Sequence, residues 1–415
     1  MPKYRGTGFE EFYADPPMTP DEAKEERENI YSPMIPFPER IEACIQRFRA
    51  RRRITGADAT KDFNYYLFLG GVDTNPRMFG GNLESELKDM TPEERRTATA
   101  TDTIYSSGGG SKFYNADDAE GWDVDFTGIV AGFCSAYLPS MTNWDYARMG
   151  KAIGIVENFL TYVLQHDVCP EYEDDVKEAV GVCHRANVEL PVAHQALLHL
   201  PGPFNRALSQ LFCEGQDWEE SDPGSVVTLG VTVKMLMDGA SDEAIVAKVD
   251  GLVNKTANLI ETEDCGMEVV AIHRATGISR QIAQTWTVQD RKIGALGRLD
   301  MKPYVIEDGH DRGDDAEGGG GGDSGEVTTF LVDDDALRRL QVGFKLQLRV
   351  GRLDNGMSFI QQVDAVHVEW YTFLPQSLMA HYKEPVANDR PAPTVASPGD
   401  GTDAMDKSDV ALSDD

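Results

Sequence analysis

The stretch FKLQLRVGRLDNGMSFIQQVDAVHVEWYTFLP runs from Phe344 to Pro375. Phe344, Leu346, Leu348 and Val350 alternate with Lys345, Gln347 and Arg349. A repeat of two puts each set on its own face, so this segment reads as a half-buried strand. Asp354-Asn355-Gly356 supplies a tight turn. A second long strand pattern follows through Val366, Val368 and Trp370 to Pro375. These strands decide the fold class, because most of the chain before them repeats with a helical period.

Ile153, Val156, Leu160, Val163 and Leu164 form one helical stripe, and Ile155, Phe159 and Tyr162 form a second. Such a helix is expected to be buried on most sides. Pro170 restarts a helix, with Glu171, Asp174 and Asp175 in its first turn. Its inner face is Val176, Val180, Cys183 and Leu190, and Pro191 is expected to stop it. Ser241 is expected to cap a further helix, with Ile245, Val249, Leu252, Val253 and Ile260 facing inward. Past Cys265 the period changes to two, and MEVVAIHRA (267–275), IAQTWTV (282–288) and KPYVIED (302–308) read as strands. The expected fold is α+β: a helical N-terminal half packed with a mostly antiparallel β-rich C-terminal half, in one large globular unit.

The first 60 residues read as an extended N-terminal arm, rich in proline and charge. Within it, Thr19-Pro20-Asp21-Glu22 is a capping box with proline at the first helical position. Ile41, Cys44, Ile45 and Phe48 share a helical face, and Arg47, Arg49, Arg51, Arg52 and Arg53 crowd the end of that helix. The expected organisation is therefore an arm over 1–60, a mainly helical region over 61–265 and a β-rich region over 266–376. Within the helical region, Thr91-Pro92-Glu93-Glu94 is a second capping box and 101–125 reads as a long loop. Residues 308–326 read as a flexible acidic insert in the β-rich region, and 377–415 as a disordered acidic tail.

The 415 residues carry a formal net charge of −31. Most of such a surface repels polyanions, so a basic protein surface is a better partner than free nucleic acid. No apolar run reaches the length of a transmembrane helix, and the N-terminus has no signal-peptide core. A soluble protein made in the cytosol, without a membrane partner, is expected. The six cysteines lie far apart, so reduced thiols are expected.

The segment YYLFLGGVDTNPRMFGG (65–81) invites a phosphate-loop reading. It lacks the lysine and hydroxyl of a P-loop and the Gly-x-Gly-x-x-Gly of a dinucleotide site. A Gly-Gly turn after an apolar element is the better reading. His166, Cys169, Cys183 and His184 are the best metal candidates. However, adjacent Cys183 and His184 point about 100° apart on a helix, and Cys183 lies on the apolar stripe. His166, Asp167, Glu171 and His184 suggest a hydrolytic site, but no nucleophile motif accompanies them. His194 and His199 sit in an apolar helical run as structural histidines. No catalytic, cofactor or metal residues are assigned. Arg47, Arg49, Arg51, Arg52 and Arg53 remain as a contact for RNA phosphate or an acidic partner, or as a solvated helix end anchored by Phe48.

Several blocks carry a family resemblance: RGTGFEEFYADPPMTP (5–20), IYSPMIPFPERIEACIQRFRARRRI (30–54) and YLFLGGVDTNPRMFGG (66–81). NFLTYVLQHDVCPEYEDDV (158–176), ANVELP (186–191) and VEWYTFLP (368–375) continue it. In order and combination they resemble the fungal argonaute-binding subunit of the argonaute siRNA chaperone complex. The resemblance implies a non-enzymatic role in RNA interference and heterochromatin silencing, restraining passenger-strand release from argonaute-bound duplex siRNA. It implies argonaute and a second chaperone subunit as partners, siRNA contacted indirectly through argonaute, no cofactor, and a place in nucleus and cytoplasm. The acidic segments 308–326 and 384–415 are expected to compete with RNA near the basic channel of argonaute. The alternatives from the residues themselves are a metal-dependent hydrolase using the His166–His184 region and an RNA-binding module led by Arg47–Arg53.

Overall fold

The computed structural model describes residues 19–72 except 53 and 55, residue 74, residues 123–213, residues 257–309 except 286, 289, 290 and 293, and residues 326–381. The second capping box at Thr91, the loop up to residue 122, the helix capped by Ser241 up to residue 256, the insert from 310 to 325 and the tail from 382 lie outside the described residues.

Thr19 starts helix α1 (Pro20–Asn29), accepting a hydrogen bond from the Glu22 backbone while Glu22 reaches back to the Thr19 N–H. Helix α2 is Phe37–Arg52 and α3 is Ala57–Leu69. The described part of the arm is packed. Tyr31, Cys44, Ile45 and Phe48 are buried in the main core. Phe48 touches Phe63, Phe159 and Tyr162 at ring-centroid distances of 5.7, 5.4 and 5.6 Å, near the favoured aromatic spacing.

Helices α4 (Phe126–Gly132) and α5 (Leu138–Thr142) are joined by one π-helical segment, Phe133–Tyr137. Helix α6 (Tyr146–Gln165) carries the two predicted stripes, with Ile153, Val156, Phe159, Leu160, Tyr162 and Val163 all buried. Helix α7 runs from Glu173 to His199, straight through Pro191. A mid-helix proline costs about 3 kcal/mol. Burial of Leu190, Ala193 and Ala196 on either side of it outweighs that cost, so the predicted stop is overridden by packing. Helix α8 is Gly202–Phe212.

The C-terminal half holds a closed barrel. Its strands are β1 (Leu259–His273), β4 (Leu296–Pro303), β5 (Thr328–Asp333), β6 (Lys345–Leu353) and β7 (Ser358–His367). Helix α9 (Gly277–Thr285) and the short strands β2 (Thr287–Val288) and β3 (Arg291–Lys292) lie between β1 and β4. Helix α10 (Asp334–Leu337) follows β5. The order around the barrel is β1-β4-β5-β7-β6, closed by β1 on β6. All pairings in it are antiparallel except β5 with β7. This is the strand order of the oligonucleotide/oligosaccharide-binding type of barrel.

Four strand expectations change. The sheet begins at Leu259, inside the stretch expected to be helical, and Ile260 is 68% exposed on β1 instead of facing inward. IAQT is the end of α9, leaving only Thr287–Val288 as strand. The third strand ends at Pro303, so most of KPYVIED is not strand. The long strand at the end also stops early, at His367.

Strand β1 pairs with β6 along its first part and with β4 along its last. Gly266 sits where the pairing changes hands. A Cβ there would lie 2.3 Å from the Tyr304 carbonyl oxygen, so only glycine allows that approach.

The seam between β5 and β7 is a single strand pair, Phe330 with Ser358. Helix α8 completes it. The Asn205 side chain donates to the Leu331 carbonyl at 2.8 Å and accepts from the Ile360 N–H at 2.9 Å. Asn205 thereby acts as an extra rung, with no exposed surface. Around it Phe204, Leu208 and Leu211 pack against Leu296, Leu331, Leu353 and Phe359 on the barrel's outside.

Asp333 fixes the start of α8 by accepting from the Phe204 N–H at 3.0 Å. Burial pushes its carboxyl up from 3.8 to about 6, against the pull of backbone hydrogen bonds. The folded chain therefore holds this proton more tightly than the unfolded one. The resulting stability is fully present below about pH 4 and is lost as pH rises through about 6. Asp333→Asn is expected to flatten this part of the stability–pH curve by roughly 2–3 kcal/mol. Urea unfolding of variant and parent across that window measures it.

After β7 a strap crosses back to the helices. The Trp370 Nε1–H donates to Glu189 of α7 at 2.7 Å, and the Thr372 N–H to Ser135 of the π segment at 3.2 Å. Leu374 covers Gly132, where a Cβ would lie 2.4 Å from it. Gln376, in a closing 3-10 turn (Pro375–His381), donates to the Leu69 carbonyl at the end of α3.

Candidate interaction surface at the arginine-rich helix end

The predicted cation cluster lies in the last turns of α2. Arg47 pairs with Glu26 of α1 at 2.6 Å, and Arg51 pairs with the same carboxylate at 3.2 Å. Glu26 is 4% exposed and also receives His166 Nδ1 at 3.0 Å. Burial holds His166 below its ordinary value, with Glu26 pulling the other way. Facing a carboxylate oxygen, which can only accept, Nδ1 is the donor. Arg51 also donates to the Tyr162 hydroxyl at 2.5 Å, and Tyr162 stacks on His166 at 3.9 Å. Arg49 bonds Asn64 and lies 5.6 Å from the centre of the Phe63 ring. Arg52 is exposed, and Arg53 lies outside the described residues.

This constellation can hold α1 against α2 and α6. A buried carboxylate is tolerated when cations and donors converge on it. Two of the five arginines thus point their charge inward, toward Glu26.

The proposed metal and hydrolytic side chains do not converge. His166 is on Glu26, while His184 is exposed and pairs with Glu157 at 3.0 Å. Cys169 and Cys183 are buried, and burial pushes both thiols up to about 12. Asp167 pairs with Arg27, and Glu171 with Arg40. Among the described residues no three His, Cys, Asp or Glu side chains are grouped as a metal site requires. No helix among them is long and apolar enough to cross a membrane. His194 stacks on Trp144 at 4.5 Å and meets the Tyr146 hydroxyl at 2.6 Å, while His199 Nδ1 meets the Gln195 carbonyl oxygen at 2.7 Å.

The Tyr65–Gly81 segment is a helix end as far as it is described. Helix α3 stops at Leu69, Gly71 takes φ +81°, and the Val72 N–H returns to Leu67. The Asn75-Pro76 bend lies outside the described residues.

Glu26, Asp62 and Glu189 do not stand out in the sequence, and Asp175 does so only as a first-turn acid of its helix, yet each ties two elements together. Asp62 holds Arg148 at 2.9 Å, and Asp175 accepts from the Phe126 and Thr127 N–H groups at 2.7 and 3.1 Å. Several of the quoted blocks fall on these ties. Arg40 with Glu171 and the Val168 carbonyl, His166 with Glu26, and Glu189 with Trp370 all join one block to another element.

A family model described as the Argonaute siRNA chaperone (ARC) complex subunit Arb1 matches residues 1–385. The chain belongs to the Arb1 family. Argonaute-binding protein 1 of Schizosaccharomyces pombe is 32% identical to it over 225 residues, 53% of each chain. The match to that Arb1-family relative therefore spans about half its length. No solved structure matches.

Proposed function

We propose that this Arb1-family protein is an argonaute-binding subunit of an siRNA chaperone complex that works by binding, without catalysis. The observation that carries this reading is the family match over residues 1–385. The name of the S. pombe relative supports argonaute as the partner. The net charge of −31 suits docking on a cationic protein. In this reading a second chaperone subunit joins the complex, and siRNA is held largely by argonaute. The protein restrains passenger-strand release and serves heterochromatin silencing, in nucleus and cytoplasm.

Purification of the tagged full chain from a fungal extract is the test. Argonaute with duplex siRNA is expected in the eluate. An eluate free of argonaute, with the tagged chain folded and recovered, overturns the reading.

A further inference from the structure

The barrel has a second concentration of arginines, assembled from distant parts of the chain. Arg274 follows β1, Arg280 lies on α9, and Arg338 and Arg339 follow α10. Two aspartates organise these four. Asp334 takes Arg274 in a two-bond fork, at 2.7 and 2.8 Å, and Arg280 at 3.2 Å. Asp335 takes Arg338 and Arg339, each at 2.8 Å. Arg206, exposed on α8, adds its charge beside the third aspartate, Asp333.

Each guanidinium has five donors in a planar fork, and one carboxylate cannot satisfy two of them. Charge and donors are left over, and the side chains reach solvent. Arg274, Arg280 and Arg338 keep 37%, 45% and 60% of their surface.

The carboxylates near the start of β1 do not offset this charge, because Asp264 is paired with Arg349, and Glu261 and Glu263 with Arg352.

We propose that the α10 end of the barrel is a contact surface for the phosphate backbone of RNA. The groove by which barrels of this order hold bases lies over the second and third strands and the flanking loops. Helix α8 packs over β5 and β7, with Phe204, Leu208 and Leu211 in one apolar cluster with Leu331 and Phe359. The third strand is thus covered by an apolar helix, and what the α10 end offers is a preorganised arginine surface. Its ligand is read by charge and not by sequence. The helix end at Arg47–Arg53 is the weaker candidate, since Arg47 and Arg51 turn inward to Glu26, which is 4% exposed, whereas Asp335, which holds Arg338 and Arg339, is 58% exposed and keeps them at the surface.

The test titrates the full chain with a short RNA duplex, without argonaute, over a series of salt concentrations. Binding is expected to weaken with salt. The double variant Arg280→Ala with Arg338→Ala keeps Arg274 on Asp334 and Arg339 on Asp335. It is expected to bind about tenfold more weakly, with the slope of log affinity against log salt reduced by about 1.5, as loss of two phosphate contacts requires. Arg52→Ala is expected to change neither. No binding by the parent chain, or an unchanged slope in a folded double variant, overturns the proposal. An equal loss in Arg52→Ala also overturns it. Argonaute is absent from the assay, so its failure leaves the proposed argonaute binding untouched.

Discussion

Asn205→Leu is expected to destabilise the protein by about 4 kcal/mol, the largest single-residue effect in the barrel. Leucine has the same branched shape and is larger, so no cavity forms. What it removes is the rung between β5 and β7. The Leu331 carbonyl and the Ile360 N–H lose the partner that now sits at 2.8 and 2.9 Å. Each buried polar group left unsatisfied costs about 1–3 kcal/mol. The strands cannot compensate by pairing directly, because they share only the Phe330–Ser358 pair. Urea unfolding followed by tryptophan fluorescence measures the loss, with a lower midpoint expected. A midpoint equal to the parent's would mean that the seam closes without Asn205.

Glu26→Ala is expected to cost about 3 kcal/mol and to release α1. Removing one partner of a buried ion pair leaves the others facing a low-dielectric interior. Arg51 and His166 are mostly covered, whereas Arg47 keeps 38% of its surface and can rehydrate. The expected cost therefore sits at the low end for a broken buried pair. The loss is local. Limited proteolysis is expected to cut the connection between α1 and α2 much faster than in the parent, with the barrel still intact. Equal cutting rates would show that packing of Tyr31 alone holds the helix.

The strand at Phe344–Val350 and the stripes of α6 were legible because one face of each is buried and the other wet. The beginning of β1 was not. Residues Ile260 to Asp264 are exposed there, so no apolar alternation marks the strand. IAQT is too short to show either period, and its neighbours in α9 decide it. Pro191 misled for a different reason, since local propensity was outweighed by packing on both sides. The arginines of α2 were visible as a run, but their common partner was not. Glu26 looks like any charged residue on a polar helix until His166 and Arg51 are brought to it. The arginines around α10 left no run at all, being spread from residue 206 to residue 339.

The strap after β7 bears on how the chain is made. Gln376 closes onto Leu69, a contact spanning 307 residues. Leu374 closes onto Gly132 at the end of α4, and Thr372 onto Ser135 of the π segment 237 residues away. A ribosome adds about 5–20 residues each second. The helical layer therefore waits tens of seconds between the emergence of α3 and the arrival of its cover. During that interval the surface under Leu374 is open to other apolar chains. Folding of this protein is thus finished only after synthesis has passed the barrel, and a chaperone's protection is needed most at the N-terminal helices.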